Sequence, residues 1–496
     1  MRLAKLLKAA GLEAQEAGDR QVTGFAIDHR KVAPGTVFGA FQGTRVNGEE
    51  FIADAVQSGA LAVVARPQAV VEGALHIADN QPRRAFARLA SHYFTPVPRH
   101  IVAVTGTNGK TSSVEMTRQI WRMAGERAAS IGTLGVTTPD ESVSTGLTTP
   151  DIVTFLSNVS GLAREGVTHL AYEASSHGLS QYRNEGLRPA AVAFTNFSRD
   201  HLDYHADMED YFAAKMRLLD EVAADGATAV IWTGADGSEW TRRAVEHARK
   251  RGLRVFSVGE QGEDIRLAAQ SPTQLGQTLT VEHAGEERTI SLPLIGAYQV
   301  ANALTAAGLA LSTGIDAGRV WDAVARLQPV RGRLERAVIA PGGAPVYVDY
   351  AHTPDALEAA IAALRPHVRG RLITVFGAGG DRDQGKRAPM GAAASAGSDM
   401  VIVTDDNPRG EDPAAIRAEI LAGASDRARE VEGRREAIAA AISAAGRDDI
   451  VLVAGKGHET GQIVGAGENR RVLPFDDVEV ARECAASRAA GRGGYE

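Results

Sequence analysis

Residues 101–116 read IVAVTGTNGKTSSVEM, and this stretch constrains the fold more than any other part of the sequence. A run of apolar and β-branched residues leads into a glycine-rich turn, and a helix-like stretch follows. Gly106 and Gly109 permit a tight turn, after which the free N–H groups of a helix start can point at a phosphate. Val104 stands where the strict Walker pattern has a glycine, but the chemistry needs only the strand, the turn and the helix. The stretch therefore predicts a phosphate-binding loop between a buried strand and a helix.

The residues of this loop favour ATP with Mg²⁺ as the ligand. Lys110 can supply positive charge to the outer phosphates, and the Thr111 hydroxyl can coordinate Mg²⁺. A structural Gly-Lys-Thr turn is the alternative, and phosphate binding alone also suits hydrolases, motors, kinases and ligases. The residues expected to contact ATP here are Gly106, Thr107, Asn108, Gly109, Lys110, Thr111 and Ser112.

Two proline-marked junctions divide the chain. They are YFTPVPRH at 93–100 and RLQPVRGRLE at 326–335, so we expect domains at 1–97, 98–329 and 330–496. The length of 496 residues suits about three domains. Strand-like runs alternate with helical runs in the last two segments, which is typical of βαβ units on a mostly parallel sheet. We expect an α/β protein with a small N-terminal domain, a central P-loop ATPase-like domain with a parallel sheet, and a C-terminal Rossmann-like domain.

Composition excludes several classes of function. The net charge is −7 and no long basic run is present, which argues against a nucleic-acid surface. No apolar run approaches the roughly 20 residues that span a bilayer, and the N-terminal stretch is too short and too charged for a signal peptide. Cys484 is the only cysteine, so an intrachain disulfide is impossible, which fits a reducing cytosol. We expect a cytoplasmic monomer that binds neither nucleic acid nor membrane.

A strand-end acid and two histidines are candidate metal ligands. The run GVTHLAYE ends in Glu173, at the carboxyl edge where α/β sheets place ligands. A carboxylate facing the phosphate loop would suit Mg²⁺, and an exposed strand-end acid is the alternative. The segment SRDHLDYH contains His201 and His205 but lacks the cysteine and the distant ligand pair typical of a zinc site.

A lysine stands on the apolar face of a predicted helix, DMEDYFAAKMRLLDEV. Tyr211, Lys215, Leu218 and Leu219 share that face by their spacing. A lysine whose stem is buried while its head reaches water is the alternative. Desolvation lowers the pKa of a lysine, and the neutral amine can react with CO₂. The resulting carbamate is a carboxylate that can bind Mg²⁺.

Several longer segments carry a resemblance to a known family. They are GTNGKT, TTPD at 148–151, YEASSHGLSQYR at 172–183, TNFSRDHLDYH at 195–205, DYAHTPD at 349–355, DDNPR at 405–409 and GKGHE at 455–459. Together they resemble the Mur ligase family over essentially the whole chain. The resemblance implies an ATP-dependent carboxylate–amine ligase of peptidoglycan precursor synthesis. It would add meso-diaminopimelate to the D-Glu of UDP-MurNAc-L-Ala-D-Glu through an acyl phosphate.

The resemblance also implies which residues form the site. Lys110, Glu173, His201 and Lys215 would be catalytic, and Lys215 matches the family's carbamylated lysine. Thr111, Glu173, His201 and Lys215 would hold Mg²⁺, with His201 on a second ion. The adenosine end of ATP would be contacted by Asn302, Arg333, Asp349 and His352. The uridine part would be contacted by Ile27, His29, Thr44, Arg45 and Val46, and the muramoyl peptide by Thr148, Thr149, Ser175, Gln181 and Arg183.

Two departures from the family pattern are visible. The family usually has serine where this chain has His29, and Phe-Asn where Tyr298-Gln299 stand. Either the imidazole replaces the serine hydroxyl or the local contact differs.

Three polar loops in the last segment predict the amino-acid pocket. GAGGDRD, DDNPRG and GKGHE each follow an apolar strand, so in a parallel sheet they can converge at the carboxyl edge; three separate solvated loops are the alternative. Arginines beside acids suit a zwitterion, which meso-diaminopimelate presents at its distal end. L-lysine and L-ornithine present only an ammonium there, so we expect them to be poorer substrates. The resemblance assigns the contacts to Arg382, Asp406, Asn407, Pro408, Arg409, Gly455 and Glu459.

Two other functions remain open at this stage. A ligase that adds D-Ala-D-Ala has a similar type of N-terminal domain, but it would not explain the motifs SSHGLSQYR and DDNPR. A nucleotide-gated switch or binding module would hydrolyse ATP without an added amino acid. In the favoured ligase mechanism no protein nucleophile is needed, because positioning and charge neutralisation by Lys110 and Mg²⁺ carry the reaction.

Overall fold

The computed structural model describes residues 1–12, 18–43, 46–138, 141–143, 148–202, 204–235, 237–273 and 275–492. The chain forms two compact units. The first unit contains Met1–Leu267, Glu282–Glu286 and Asn302–Ala323, and the second contains Ala268–Val281, Glu287–Ala301 and Val324–Glu496.

The N-terminal region of the first unit is a small parallel α/β layer. Its sheet has the order β1–β2–β3–β4, and each neighbouring pair is parallel. Val37 and Phe38 are consecutive on β2 and enter different apolar clusters, because successive strand side chains point to opposite faces. The elements are α1 (Leu3–Ala10), β1 (Gly24–Ala26), β2 (Thr36–Gly39), α2 (Ile52–Gln57), β3 (Ala60–Ala65), β4 (Leu75–Ala78) and α3 (Pro82–Tyr93), with 3₁₀ turns at His29–Lys31 and Gly48–Phe51.

The central region is built around strand β5 (His100–Thr105), the run predicted from the opening motif. The elements after it are α4 (Lys110–Met123), β6 (Ala128–Gly132), β7 (Gly135–Thr137), β8 (Ser142–Val143), α5 (Ile152–Arg164), β9 (His169–Glu173), α6 (Ser176–Ser180), β10 (Ala191–Phe194), α7 (Met208–Arg217), β11 (Thr228–Trp232), α8 (Glu239–Lys250), β12 (Arg254–Gly259), β13 (Ile265–Pro272), β14 (Gln277–His283), β15 (Glu286–Leu292), α9 (Ala297–Ser312) and α10 (Ala317–Val324).

Strand β5 lies between β9 and β10 in the sheet order β12–β11–β10–β5–β9–β6–β7–β8. The pairs from β12 to β6 are parallel, and β6, β7 and β8 pair antiparallel. Ile101 to Val104 are buried, as expected of a strand covered on both faces. The predicted mostly parallel sheet is therefore present, and the loop after β5 emerges at its carboxyl edge.

The C-terminal region has a Rossmann-like sheet in the order β16–β17–β21–β18–β19–β20. Strands β17 to β20 are parallel in this order, and β16 is an antiparallel edge strand. The elements are β16 (Glu335–Ile339), β17 (Pro345–Asp349), α11 (Pro354–Leu364), β18 (Leu372–Phe376), α12 (Arg387–Gly397), β19 (Met400–Val403), α13 (Pro413–Leu421), β20 (Ala428–Glu430), α14 (Arg434–Ala444), β21 (Ile450–Ala454), β22 (Gly461–Val464), β23 (Arg471–Pro474) and α15 (Asp477–Arg492).

The predicted α/β fold class with three regions is confirmed. The domain boundaries after residues 97 and 329 stay predictions; they fall between α3 and β5 and between α10 and β16. Among the described residues, no helix combines the length and the hydropathy needed to cross a bilayer.

Candidate functional site

The phosphate-binding loop depends on its two glycines. Gly106 and Gly109 have φ values of 147° and 82°, a range that other residues rarely adopt. A Cβ on Gly106 would lie 1.9 Å from Thr195 Oγ1, and one on Gly109 would lie 2.3 Å from Asn302 Oδ1. The loop therefore packs directly against Asn302, the residue expected at the adenosine end of ATP.

Lys110 lies folded over the loop that precedes it. Its Nζ donates to the carbonyl oxygens of Gly106 at 2.9 Å and Thr107 at 2.8 Å. Thr111 and Ser112 follow in the first turn of α4, where backbone N–H groups have no partner within the helix. The loop thus collects a cation, hydroxyls and the N–H groups of a helix start, which is the chemistry that phosphate oxygens require.

Lys215 is buried beside the same loop. Its side chain is 1% exposed, its Nζ donates to Gly106 O at 2.6 Å, and it lies 4.4 Å from the centroid of the Tyr211 ring. Burial holds the pKa of Lys215 well below its ordinary value; the Lys110 charge adds to this effect and Asp200 opposes it. The alternative, in which the aliphatic part of Lys215 is buried while its ammonium reaches water, is wrong, because the whole side chain is buried.

The helix that carries Lys215 differs from its prediction in the last turn. Helix α7 ends at Arg217, and Leu218–Val222 form a π-helical turn that Ala223 closes by donating from N to Leu218 O at 2.9 Å. Asp207 caps the helix start by accepting from Asp210 N at 2.8 Å. The apolar face is preserved across the change.

Glu173 lies at the carboxyl end of β9, where its strand register pairs it with Val104 of β5. Its Oε1 accepts from Thr133 N at 2.7 Å and its Oε2 from Thr133 Oγ1 at 3.1 Å. A Cβ on Gly132 would lie 2.1 Å from Oε1, so this glycine makes room for the carboxylate. Glu173 is buried, which contradicts the alternative of an exposed strand-end acid.

Histidines cluster next to Tyr211. The ring of His177 lies 5.0 Å from that of His201 and 5.7 Å from that of His205, and His201 lies 5.8 Å from Tyr211. In the part of the chain that is described, no three His, Cys, Asp or Glu side chains are grouped to hold a metal ion. Of the four residues expected to bind Mg²⁺, only Glu173 and His201 belong to these residue types.

The residues expected to contact the muramoyl peptide are joined by hydrogen bonds. Arg183 donates through Nη1 to Thr149 O and through Nη2 to Gln181 Oε1, both at 2.8 Å. The hydroxyls of Thr149 and Ser175 are 3.0 Å apart. Thr148 Oγ1 lies 3.1 Å from Thr133 Oγ1, next to Glu173. These predicted residues therefore surround one end of β9.

The residues expected to contact uridine are described in part. The His29 ring stacks on Phe51 at 4.4 Å with an interplanar angle of 1°. Ile27 and Val46 are exposed, while Thr44 and Arg45 lie outside the described residues. His29 thus has a packing role in the protein, and its contact with uridine stays a prediction.

In the second unit, the predicted nucleotide contacts surround the end of β17. Asp349 accepts from two backbone N–H groups at 2.7 and 2.8 Å, and burial raises its pKa. The Arg333 guanidinium lies 4.7 Å from the Tyr350 ring centroid. His352 Nδ1 lies 2.8 Å from Tyr350 O, and burial lowers its pKa. The structure therefore brings Arg333, Asp349 and His352 together.

The three polar loops converge at the carboxyl edge of the C-terminal sheet. Asn407 Nδ2 donates to Glu459 Oε2 at 2.9 Å, which joins the second loop to the third. A Cβ on Gly379 would lie 2.7 Å from Arg409 Nη1 and 3.8 Å from Arg382 Cγ, so Arg409 of the second loop lies next to the first loop, which contains Arg382. The prediction that these loops meet is confirmed, and the alternative of three separate solvated loops is wrong.

Sequence reasoning missed a buried lysine under this pocket. Lys456 is fully buried, and its Nζ lies 3.0 Å from Asn407 Oδ1, 3.2 Å from Glu459 Oε2 and 3.4 Å from Asp406 Oδ1. It stands inside GKGHE, so its position was visible in the sequence. Because Lys456 neutralises part of the acidic charge, the pocket is more positive than its exposed residues suggest.

Two further cations support the pocket. Lys386 Nζ donates to His352 O at 2.8 Å, and burial lowers its pKa although Asp406 opposes the shift. Arg434 and Asp477 form a fully buried pair at 2.7 Å, and Arg434 also donates to Ala454 O at 2.9 Å. Lys386 was visible beside GDRD, whereas nothing in the sequence links Arg434 to Asp477.

Family models match most of the chain. The Mur ligase family, catalytic domain matches residues 21–94, the Mur ligase middle domain matches 104–310, and the Mur ligase, glutamate ligase domain matches 332–457. The middle match contains the phosphate-binding loop, Glu173 and Lys215.

Curated relatives are similar over almost their full length. A Zymomonas mobilis protein named UDP-N-acetylmuramoyl-L-alanyl-D-glutamate–2,6-diaminopimelate ligase is 57% identical over 482 residues, covering 97% of this chain and 98% of the relative. A Bradyrhizobium diazoefficiens protein of the same name is 50% identical over 474 residues, covering 95% and 96%.

Solved structures share the fold. One structure of a UDP-N-acetylmuramoyl-L-alanyl-D-glutamate–2,6-diaminopimelate ligase has a TM-score of 0.73 at 32% identity, covering 98% of this chain and 99% of that chain. MurF ligase from Thermotoga maritima in complex with ADP has a TM-score of 0.61 at 19% identity, covering 95% and 99%, which is a likeness of fold alone.

Proposed function

The chain belongs to the Mur ligase family, and on that basis we propose that it joins meso-diaminopimelate to UDP-MurNAc-L-Ala-D-Glu at the expense of ATP. The bond formed is an amide between the D-glutamate γ-carboxylate and one amine of the amino acid. Relatives that match nearly the whole chain carry the name of this ligase, which supports the proposal. The observation that carries the choice of amino acid is the position of Arg382 and Arg409, which both lie next to Gly379 of the first polar loop.

The proposed reaction proceeds in two substitutions. A γ-carboxylate oxygen attacks the terminal phosphorus of ATP, a P–O bond forms, and ADP leaves with the electrons of the broken bond. The amine then attacks the acyl carbon, phosphate leaves, and the nitrogen loses a proton. Phosphorylation is needed because an unmodified carboxylate would have to expel oxide.

The phosphate-binding loop supports the first step. Lys110 would exchange its bonds to Gly106 O and Thr107 O for bonds to phosphate oxygens, where its charge opposes the charge that develops on transfer. The N–H groups at the start of α4 would hold the same oxygens. The contribution of these residues is therefore position and charge.

The chemistry of the donor set fits Mg²⁺. Glu173 is a buried carboxylate beside the loop, and Thr111 is a hydroxyl in the first turn of α4. Mg²⁺ accepts a few protein oxygens and completes its shell with water and substrate phosphates. When bound, it would neutralise negative charge on the phosphates. We propose that Thr111, Glu173, His201 and modified Lys215 hold Mg²⁺, with His201 on a second ion.

We also propose that Lys215 is carbamylated. The nitrogen lone pair would attack the carbon of CO₂, an N–C bond would form, one C=O π pair would move to oxygen, and the nitrogen would lose a proton. This requires a neutral amine, and the lowered pKa of Lys215 supports that state. The product would be a carboxylate next to Tyr211 and the loop.

The arginine pair supports diaminopimelate over lysine. The distal carboxylate of diaminopimelate would pair with Arg409, and its distal ammonium with acids such as Glu459. Lysine and ornithine lack that carboxylate, so they would leave a partly desolvated guanidinium without an anion, which is costly. The three-domain boundaries, the monomeric state and the cytoplasmic location remain predictions.

The test measures ADP release with UDP-MurNAc-L-Ala-D-Glu and a panel of amino acids. We expect kcat/KM for meso-diaminopimelate to exceed kcat/KM for L-lysine and L-ornithine by roughly 10³-fold or more. This is the scale expected when a substrate lacks a polar group that the site is built to bind. Arg409→Ala should remove most of this preference, while Arg427→Ala, at an exposed position, should not.

Two outcomes would contradict the proposal. ADP release without any amino acid would indicate a switch or a hydrolase. Comparable kcat/KM values for L-lysine or L-ornithine in the unmodified protein would preserve the ligase but reject the amino acid.

A further inference from the structure

Arg83 stands at the start of α3 with its charge partly enclosed. Its guanidinium lies 4.9 Å from the centroid of the Phe41 ring, and its Nη2 donates to Gln42 O at 3.0 Å. Both contacts fix the guanidinium without neutralising it. Gln42 belongs to the segment that the family resemblance assigns to the uridine end of the substrate.

The first turn of α3 packs on the segment that carries Arg183. The Tyr182 hydroxyl lies 3.5 Å from Gln81 Oε1, and the Arg84 guanidinium lies 5.6 Å from the Tyr182 ring centroid. Arg84 also pairs with Glu185 at 3.0 Å. Helix α3 therefore brings Arg83 to the side of the first unit where Gln181 and Arg183 lie.

The arginines of this contact divide into two kinds. Arg84 pairs with Glu185 and Glu221, Arg88 pairs with Glu185, and Arg217 pairs with Glu221. Within the described ranges, by contrast, neither Arg83 nor Arg183 forms an ion pair with an acid. Their hydrogen bonds go to the oxygens of Gln42, Thr149 and Gln181, which are neutral.

The electrostatics follow from that difference. Burial lowers the pKa of both arginines; the charge of Arg183 lowers that of Arg83 further, and the charge of Asp151, which forms no ion pair with Arg183, opposes the shift of Arg183. Tyr204 interacts with both, and its hydroxyl accepts from Gln181 Nε2 at 3.2 Å. Like charges that share a partly desolvated space repel each other, and an anion between them would remove that cost.

We propose that Arg83 joins Arg183 in binding one anionic group of the UDP-linked muramoyl peptide. This inference rests on the proposed function and adds a contact that the family resemblance does not assign. A guanidinium binds carboxylates and phosphates through the same planar pair of donors. The anion is therefore a carboxylate of the D-glutamate or the diphosphate of the nucleotide.

The experiment is calorimetric titration of the full chain with UDP-MurNAc-L-Ala-D-Glu, with UDP, and with the dipeptide analogue whose two glutamate carboxylates are amides. Arg83→Gln is expected to weaken dipeptide binding by roughly 10- to 100-fold, the scale of a lost hydrogen bond to a charged group. Arg88→Gln is the matched control, because it removes the same charge from the same helix and leaves Glu185 paired with Arg84. Its affinity should change by less than about 3-fold.

The ligands identify the anion. If Arg83→Gln weakens binding of UDP-MurNAc-L-Ala-D-Glu but not of the diamide analogue, the anion is a carboxylate. If it weakens binding of UDP by the same factor, the anion is the diphosphate. Arg83→Lys, which keeps the charge but not the fork, should recover part of the affinity. The proposal is overturned if Arg83→Gln binds the dipeptide as tightly as the unmodified protein, if Arg88→Gln loses as much, or if the loss persists in full with the diamide and is absent with UDP.

Rejection of the role of Arg83 can be distinguished from failure of the proposed function. If the unmodified protein does not bind UDP-MurNAc-L-Ala-D-Glu, the assignment of the substrate is wrong and Arg83 loses its proposed role with it. Thermal midpoints of the variants within a few degrees of the unmodified protein exclude misfolding as the cause of a loss.

Discussion

Lys215 shows how enclosure changes the chemistry of one side chain. The Tyr211 ring and the Gly106 carbonyl both attract an ammonium, and a ring contact of this kind is worth about 2 kcal/mol when desolvated. Removing an ammonium from water costs several kcal/mol, so burial prevails and the pKa falls. The lowered pKa favours the neutral amine, which is the nucleophilic form of the side chain.

Lys215→Ala is predicted to reduce ligation by about 100-fold or more, because the carboxylate proposed at this position disappears. Formate or acetate should restore part of the rate by occupying the space of the lost carbamate. ADP release at increasing formate concentration measures the rescue, and Lys250→Ala, an exposed lysine at the end of α8, is the control. An alanine variant with undiminished turnover would reject both the carbamate and its role.

Lys110 leads to a second prediction at the residue scale. Its ammonium contacts the loop carbonyls, and the proposed phosphate contacts depend on that charge. Lys110→Ala should abolish measurable ADP release while calorimetric binding of UDP-MurNAc-L-Ala-D-Glu persists, because the residues expected for that substrate lie elsewhere in the first unit. Loss of dipeptide binding as well would indicate misfolding and not a missing phosphate contact.

At the scale of elements, neighbouring strands can set a pKa. His100 on β5 and His169 on β9 are directly paired, and their rings stack at 4.5 Å with an interplanar angle of 17°. Burial lowers the pKa of His169 to about 4, and the charges of His100 and Arg99 add to the shift. The imidazole is therefore neutral in the folded protein at neutral pH.

This pair predicts acid sensitivity. The folded pKa of about 4 lies below the ordinary value of 6.5, so the unfolded chain binds more protons between these values. Stability therefore rises with pH in that window, and it declines as the pH falls from 6.5 toward 4. Acidification from pH 7 to pH 5 should cost roughly 1 to 2 kcal/mol through His169.

The measurement compares unfolding midpoints in urea at the two pH values. His169→Gln, which cannot titrate, should lose less stability on acidification than the unmodified protein. The other titrating groups act in both proteins, so the difference isolates His169. An identical acid-induced shift in both would contradict the assignment.

Elements were more predictable than their contacts. The strand predicted before the phosphate-binding loop is present as β5 (His100–Thr105), since a β-branched run bounded by glycine is a strong signal. The convergence of the polar loops followed from sheet parallelism. The pairing of Arg434 with Asp477 was not accessible, because no local pattern links residues brought together by tertiary packing.

For the whole molecule, the sequence indicated three α/β regions but not the division into compact units. Prolines near residues 97 and 329 mark junctions between secondary-structure elements. Compactness depends instead on which contacts form, and it joins residues 1–267 in one unit. Prolines at the junctions therefore cannot indicate how the chain divides into compact units.

The chain also changes unit five times between Leu267 and Val324, within strands β13, β14 and β15 and helices α9 and α10. This interleaving limits how such an enzyme can evolve by recombination. A gene fragment beginning at Val324 carries the amino-acid pocket but leaves behind residues 268–281 and 287–301 of the same unit. A single crossover would therefore produce a hybrid with mismatched packing. We therefore expect a change of amino-acid choice to arise more readily through substitutions in the polar loops than through exchange of the whole C-terminal segment.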